Sequence, residues 1–183
     1  MLKNKDIVDE SNKILRSVSK DVSFPLSDED RKNIDLMIEY LTNSQIDKLA
    51  KKYNLRPGMG MAAIQLGIDK RYFVVVHEQD IKETFKTYII INPKIISSSE
   101  EMIYVEEGEG CLSVNREVNG IIPRHARVTV TGYDMDGNKI KVRAREELAI
   151  AFQHEIDHLN GILFIDHIDP KNPYKDADKY RAI

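Results

Sequence analysis

The chain has 183 residues, a mass of 21.1 kDa and a net charge of −3, with 42% hydrophobic and 31% charged residues. This size and mixture indicate one globular domain and exclude an intrinsically disordered chain. The charge argues against binding nucleic acid by bulk electrostatics, so we expect no direct DNA binding. The longest apolar runs are far shorter than the roughly 20 residues of a membrane span, so no membrane association is expected.

The start of the chain and its cysteine content predict a cytoplasmic location. Residues 1–6 lack the apolar stretch of a secretory signal. The single cysteine, Cys111, excludes an internal disulfide framework. In a reducing compartment a lone thiol is either buried or functional.

The first third of the chain is predicted to be helical. Residues 11–19 predict a short helix, and a longer helix should follow Ser27, a suitable N-cap. Apolar residues then recur at the spacing of a half-buried helix, at Ile34, Met37, Ile38 and Leu41. The pattern continues less regularly to Tyr53 and should end at residues 54–58, where Pro and Gly disfavour a helix.

Strands dominate the middle of the chain, and a helix returns near its end. Strand-like composition is found in residues 71–77, 87–92, 127–133 and 139–145. The last two alternate and flank turn residues, so they predict a hairpin. Residues 146–160 have helical spacing, with Gly161 as C-cap.

This order of elements indicates an α+β fold with mainly antiparallel sheets, N-terminal helices and a central C-terminal helix. We expect residues 1–168 to form a single catalytic domain, and the polar residues 169–183 to be a loosely held tail.

Residues 154–158 read H-E-x-x-H inside the C-terminal helix. Histidines four apart project from one helix face, about 6 Å apart along its axis, so His154 and His158 can bind one metal ion. Glu155 then flanks the ion as a base for water. The alternative is an exposed helix with two ordinary histidines.

A catalytic metal needs a third protein ligand and an open position. A third histidine at the metzincin position is absent, since that residue is Phe164, and no glutamate follows Glu155. The downstream aspartates are weaker options, and Cys111 offers a soft thiolate. An isolated cysteine is more often a small buried hydrophobe, but beside an unfilled two-histidine site Cys111 is predicted to be the ligand.

Three segments together resemble the peptide deformylase family. The family motifs G-x-G-x-A-A-x-Q, E-G-C-x-S and Q-H-E-x-D-H match Gly58–Gln65, Glu109–Ser113 and Gln153–His158, in the same order. Arg56, Asn92-Pro93 and Pro123-Arg124 fit as well, and the N-terminal extension resembles the longer, Gram-positive form.

The resemblance implies a metal-dependent hydrolase that removes the formyl group from the N-terminal methionine of nascent polypeptides. It implies one divalent ion per chain, natively Fe²⁺, with Ni²⁺, Co²⁺ or Zn²⁺ as substitutes, held by Cys111, His154 and His158. We also expect a monomer that contacts the ribosome transiently.

The resemblance further assigns roles around that ion. Glu155 is the expected base, while the Gln65 amide and the Leu112 backbone N–H should stabilise the developing oxyanion. The peptide should lie extended against Gly60 and Gly110. The remaining expected contacts are Met59, Ile150 and Ala151 for the methionine side chain, with Glu109 and Arg124 as a supporting ion pair; two unrelated surface charges are the alternative for that pair.

Three positions depart from the pattern of many relatives, at Glu146, Glu147 and Ile64. Glu147 shares the metal face of the helix and is expected at the rim of the methionine pocket, with its carboxylate in solvent. Two other functions remain open. A small metallopeptidase is disfavoured by the missing third His or Glu, and an inactive deformylase-like binding protein by the retained Glu155 and Gln65.

Overall fold

The computed structural model describes all 183 residues and contains three α-helices and eight β-strands. The helices are α1 (Asp28–Ser44), α2 (Asp47–Tyr53) and α3 (Glu146–Leu159). The strands are β1 (Gly60–Ala62), β2 (Tyr72–Glu78), β3 (Phe85–Ser98), β4 (Met102–Tyr104), β5 (Arg124–His125), β6 (Arg127–Tyr133), β7 (Lys139–Arg145) and β8 (Arg181–Ala182). None of the helices combines the length and apolarity needed to cross a bilayer.

The N-terminal region differs from its prediction in two places. The segment predicted as a helix at residues 11–19 contains only a 3₁₀ turn, Lys13–Arg16, capped by Asn12. The long helical pattern is divided into α1 and α2, because the backbone at Ile46 is extended. The predicted N-cap of α1 is confirmed, since the Ser27 side chain accepts a hydrogen bond from the Asp30 backbone N–H.

Five strands form one antiparallel sheet in the order β1-β2-β3-β6-β7. The predicted hairpin is confirmed as β6 and β7, with Arg127 opposite Arg145 at its open end. β3 is longer than predicted because it continues through a register shift between Ile91 and Lys94, where Asn92 has a φ of 51°. Asn92 and Pro93 therefore form an irregularity inside the strand rather than its end.

The sheet lies between α1 and α3, which explains the continuous apolar run in β2. Alternate residues of β2 point to opposite faces. Tyr72, Val74 and Val76 pack in the cluster that contains α1, while Phe73 and Val75 pack in the cluster that contains α3. The expected α+β architecture around the C-terminal helix is thereby confirmed.

The end of the chain is held more firmly than its polarity suggests. β8 pairs in parallel with β4, which pairs with β5 on its other side. The Arg181 guanidinium contacts the carboxylates of Glu101 and Glu146 at 2.9 and 2.8 Å. Backbone pairing to a free strand edge leaves little trace in side-chain hydropathy, so the sequence did not reveal it.

Candidate metal centre and active site

Helix α3 supplies two of the three predicted metal ligands. Its apolar residues face the sheet, and its C-terminus is closed by Gly161, which has a φ of 75°. The N–H groups of Gly161 and Ile162 bond the carbonyls of His158 and Asp157, a Schellman arrangement. Within this fixed helix the imidazoles of His154 and His158 lie with their centroids 4.9 Å apart.

The loop before β5 brings Cys111 to these imidazoles. Its Sγ lies 3.3 Å from His158 Nε2, and the ligand atoms of Cys111, His154 and His158 all lie within 4.8 Å of one another. That spacing suits one ion bound at the usual 2.0–2.3 Å to nitrogen and sulfur. The downstream aspartates do not join this cluster, since Asp166 instead pairs with Arg16 and bonds the Leu163 N–H.

The charge environment fits a bound cation. Burial disfavours protonation of His154, yet neighbouring groups led by Cys111 and Glu109 raise the pKa of its imidazole well above the usual value. Burial and the nearby His154 lower the pKa of His158 well below the usual value, so that imidazole is neutral. A thiol and a carboxylate around two buried imidazoles favour positive charge at the place where the ligand atoms converge.

A buried ion-pair network orients His154. The Nδ1 atom of His154 lies 2.9 Å from Glu109 Oε2, which leaves Nε2 for a metal. Glu109 in turn accepts two hydrogen bonds from Arg124, at 2.7 and 2.9 Å, so the predicted pair is present. Burial opposes ionisation of Glu109, but His154 and Arg124 outweigh it and lower its pKa to about 2.

Sequence reasoning missed two members of this network. Arg124 also binds the Asp157 carboxylate, which lies 2.7 Å from His167 Nε2. Burial raises the pKa of Asp157, but the bonds to His167 and Arg124 outweigh it and hold the value below its usual range. Asp157 is part of the Q-H-E-x-D-H motif, so that signal was available, whereas nothing in the sequence pointed to His167.

Glu155 lies beside the ligands in a different environment. Its side chain is buried, and its Oε2 atom has no hydrogen-bond partner in the protein. Burial is the main cause that raises its pKa to about 7. A Cβ at position 60 would overlap the Glu155 carboxylate, so Gly60 makes the room for this side chain.

The predicted oxyanion donors lie next to Cys111. Gln65 Oε1 accepts a hydrogen bond from the Ala62 N–H at 2.9 Å, which turns the amide nitrogen toward Ser113 Oγ (3.1 Å) and Cys111 Sγ (3.7 Å). The backbone N–H of Leu112 donates to no group within the chain. Both N–H donors are therefore held close to the ligand cluster by local structure.

A cavity of about 580 Å³ opens in front of these groups. Its walls include the residues predicted for the methionine side chain and the peptide backbone, namely Met59, Gly60, Gly110, Ile150 and Ala151. Glu147 also lines it, and this side chain is exposed and forms no ion pair, as its predicted orientation requires. Arg56 lies at the same cavity and bonds the Leu112 carbonyl and Asn115.

Comparison with known proteins decides the family. The family model described as polypeptide deformylase matches residues 4–174. The chain belongs to that family. A peptide deformylase 2 from Bacillus cereus is 48% identical over 183 residues, which cover 100% of this chain and 99% of the relative. A peptide deformylase from Halalkalibacterium halodurans is 51% identical over 176 residues, which cover 96% of each chain.

Solved deformylases have the same fold. The crystal structure from Thermotoga maritima is 33% identical, with a TM-score of 0.69, and the match covers 90% of this chain and 97% of that one. A structure from Acinetobacter baumannii, bound to Met-Ala-Ser, is 29% identical with a TM-score of 0.69 and covers 88% and 96%. The expected family, fold and enzyme class are confirmed: this deformylase is a metal-dependent hydrolase that removes N-formyl groups from nascent chains.

Proposed function

We propose that the enzyme deformylates the N-terminal methionine of nascent polypeptides with one divalent ion held by Cys111, His154 and His158. The single observation that carries this assignment is the convergence of these ligand atoms within 4.8 Å, beside a buried glutamate and an apolar cavity. A thiolate with two imidazoles suits Fe²⁺, the proposed native ion, and equally Ni²⁺, Co²⁺ or Zn²⁺.

An ion in this position supplies Lewis acidity, which activates water and polarises a carbonyl group. Glu155 takes the proton of the attacking water and delivers it to the leaving amine. The surroundings of Glu155 support both roles. A carboxyl with a pKa near 7 gains and loses a proton readily at neutral pH, and its Oε2 atom has no competing partner in the chain.

Gln65 and Leu112 stabilise the negative charge that grows on the formyl oxygen. Two preset N–H donors beside the metal ligands are the arrangement that such a charge requires. The amide of Gln65 needs no reorientation during the reaction, because Ala62 and Ser113 already fix it. The Glu109–Arg124 pair supports the reaction indirectly, because the Glu109 carboxylate holds the His154 ring in place.

The substrate adds a strand to the edge of the large sheet. β1 is an outer strand of that sheet, so the side of Gly60 away from β2 is free to bond a peptide backbone. Space around Gly110 is open as well. The methionine side chain then enters the cavity between Met59, Ile150 and Ala151. The Met-Ala-Ser complex of the Acinetobacter baumannii relative supports a tripeptide of this kind as a ligand.

We further propose that the protein acts in the cytoplasm, as a monomer in transient contact with the ribosome. Residues 1–168 form its catalytic domain. Residues 169–183 form a tail whose last strand completes the small sheet of β5, β4 and β8.

The direct test is an anaerobic assay of formate release from formyl-Met-Ala-Ser, with metal content measured on the same sample. We expect turnover in proportion to bound metal, with Fe²⁺ in protein purified without oxygen. Full metal occupancy without turnover would favour an inactive binding protein. Cleavage of an internal peptide bond without formate release would favour a metallopeptidase.

A further inference from the structure

The outer face of the β6–β7 hairpin carries charges of one sign. Along β7, apolar side chains point inward toward α3, while every residue between them is an exposed cation. The outward residues are Lys139, Lys141, Arg143 and Arg145. Alternate residues of a strand are about 6.7 Å apart, so these four cations extend over about 20 Å.

Neighbouring strands widen this surface. Arg127 of β6 lies opposite Arg145, and Lys94 of β3 lies opposite Thr131. Helix α1 packs on β2 and β3, and Phe24 packs against Tyr133 at one end of β6. The cations on the rest of the outer side of β6 and β7 are exposed. We call the six exposed cations on this surface the basic face: Lys94, Arg127, Lys139, Lys141, Arg143 and Arg145.

The basic face is not neutralised within the chain. Only Arg127 has an acidic partner, Glu101, and the side chains of the other five cations form no ion pair or hydrogen bond. Like charges that face each other across strands, as Arg127 and Arg145 do, destabilise a sheet. The whole chain carries a net charge of −3, so this local concentration of positive charge lies on an otherwise acidic molecule.

Two grooves on this surface combine cations with hydroxyl groups. One, of about 620 Å³, is lined by Arg143 and Arg145 together with the serines at 97–99, and it also contains Glu100 and Glu101. The other, of about 540 Å³, is lined by Lys94, Lys139 and Lys141 with Thr131, and it also contains Asp21. Cations beside hydroxyl donors are the groups that proteins use to bind phosphate oxygens.

We infer that the basic face is a docking surface for the phosphate backbone of structured RNA. For an enzyme that acts on nascent chains, that RNA is ribosomal RNA, so the inference rests on the proposed ribosome contact. An RNA backbone fits better than a bilayer, because the surface is formed by β-strands with hydroxyl-lined grooves and carries no amphipathic helix that would insert into lipid. Charge on an edge strand also discourages aggregation, but either sign would serve that purpose.

The test compares two variants with the same change in net charge. The face variant combines Lys139→Gln, Lys141→Gln and Arg143→Gln, none of which lies at the catalytic site. The control variant combines Lys5→Gln, Lys13→Gln and Lys48→Gln, three exposed lysines on other elements that form no ion pair. Binding to purified vacant ribosomes is measured by fluorescence anisotropy over a series of KCl concentrations, with phosphatidylglycerol vesicles as a second probe.

We expect the Kd for ribosomes to rise by about tenfold or more in the face variant at ~0.1 M KCl, and by less than about twofold in the control. The slope of log Kd against log salt should decrease by about 2–3, because up to three phosphate contacts are lost. Activity on formyl-Met-Ala-Ser should be the same in all three proteins. If the wild type itself does not deformylate this peptide, that result contradicts the proposed function and leaves the docking surface unaffected.

Three results would overturn the inference: equal weakening in both variants, unchanged ribosome binding in the face variant, or wild-type binding to the vesicles but not to ribosomes. The pair Lys141→Gln and Arg143→Gln replaces the triple variant if thermal melting shows that the triple is unfolded. That pair should give an intermediate loss of ribosome affinity, and full affinity in a folded pair variant would equally contradict the docking surface.

Discussion

Two buried carboxylates accompany His154, and their surroundings give them opposite properties. Glu109 belongs to a paired side of the site, with Arg124, Asp157 and His167. Its partners outweigh burial and hold its pKa at about 2. Glu155 belongs to an open side, with the cavity and an unpartnered oxygen, and burial raises its pKa to about 7.

This difference shows that burial alone does not decide what a carboxylate does. Both groups are almost completely shielded from solvent, yet one is a fixed charge and the other can exchange a proton at neutral pH. Hydrogen-bonded partners make the first a structural group, and their absence makes the second a chemical one. The following predictions test that division, starting from the largest expected effect.

Removal of a metal ligand should abolish the function of the open side. Cys111→Ala leaves two imidazoles, which cannot hold a catalytic ion tightly, so we expect loss of stoichiometric metal and of activity. His154→Ala and His158→Ala should behave alike. The measurement is metal content by mass spectrometry together with formate release. Stoichiometric metal in Cys111→Ala would show that the third ligand lies elsewhere.

Glu155→Gln should separate metal binding from proton transfer. The amide has nearly the same size but cannot accept the proton of the attacking water, a step worth about 10²–10⁴-fold. We expect full metal occupancy and a loss of kcat in that range. The experiment measures kcat, KM and metal on one preparation. Near-normal kcat would place the base on another residue and remove the distinction between the two sides.

Arg124→Met should show how much the paired side contributes to the free energy of unfolding. Removing the guanidinium takes two hydrogen bonds and the adjacent positive charge from the buried Glu109 carboxylate, which costs about 3–5 kcal/mol of unfolding free energy. Arg127→Met is the matched control. Its pair with Glu101 is exposed to solvent and screened, so its loss should lower the unfolding free energy far less. Urea unfolding of both metal-free variants provides the comparison, and equal losses would refute the distinction.

A third buried carboxylate, Asp30, tests the same rule away from the site. Both of its oxygens lie 2.7 Å from Lys70 Nζ. Burial opposes ionisation, but the bonds from Lys70 and Ser27 outweigh it and lower the pKa of Asp30. Its stabilisation is therefore present above the unfolded pKa of 3.8 and is lost as the pH falls through the lower folded value.

Asp30→Asn should accordingly be less stable than the wild type at pH 7, by about 1 kcal/mol because Lys70 reaches solvent and the pair is screened. The two proteins should converge in stability toward pH 2. Urea unfolding at a series of pH values measures this difference. A difference that grows as the pH falls would contradict the sign of the pKa shift.

The smallest expected effect concerns Glu147, at the rim of the open side. Because its exposed carboxylate has no partner, Glu147→Leu should leave metal intact and raise kcat/KM for formyl-Met-Ala-Ser modestly, by extending the apolar wall. It should also reduce any preference for formyl-Met-Lys-Ser. Glu147→Gln controls for charge alone. Identical rates and ratios in all three proteins would show that this side chain does not face the substrate.

The sequence by itself determined the family, the three residues proposed as metal ligands, and the helix that carries two of them. Residue spacing and turn patterns within short segments were sufficient to predict these features. The four-residue spacing places His154 and His158 on one helix face, and the hairpin of β6 and β7 follows from alternation around a turn. The Glu109–Arg124 pair was also expected, although only the structure shows that it is buried and bonds His154.

Tertiary structure alone decided the remaining contacts around this pair. His167 and Asp157 are ten residues apart and meet Arg124 only because the chain turns back after α3. The continuation of β3 past Pro93 and the pairing of β8 with β4 depend on backbone hydrogen bonds to distant segments. Such contacts form between residues far apart in sequence, and side-chain periodicity carries no record of them. The family resemblance already gave Glu109 and Glu155 different roles, but their opposite pKa shifts became clear only when their neighbours were known.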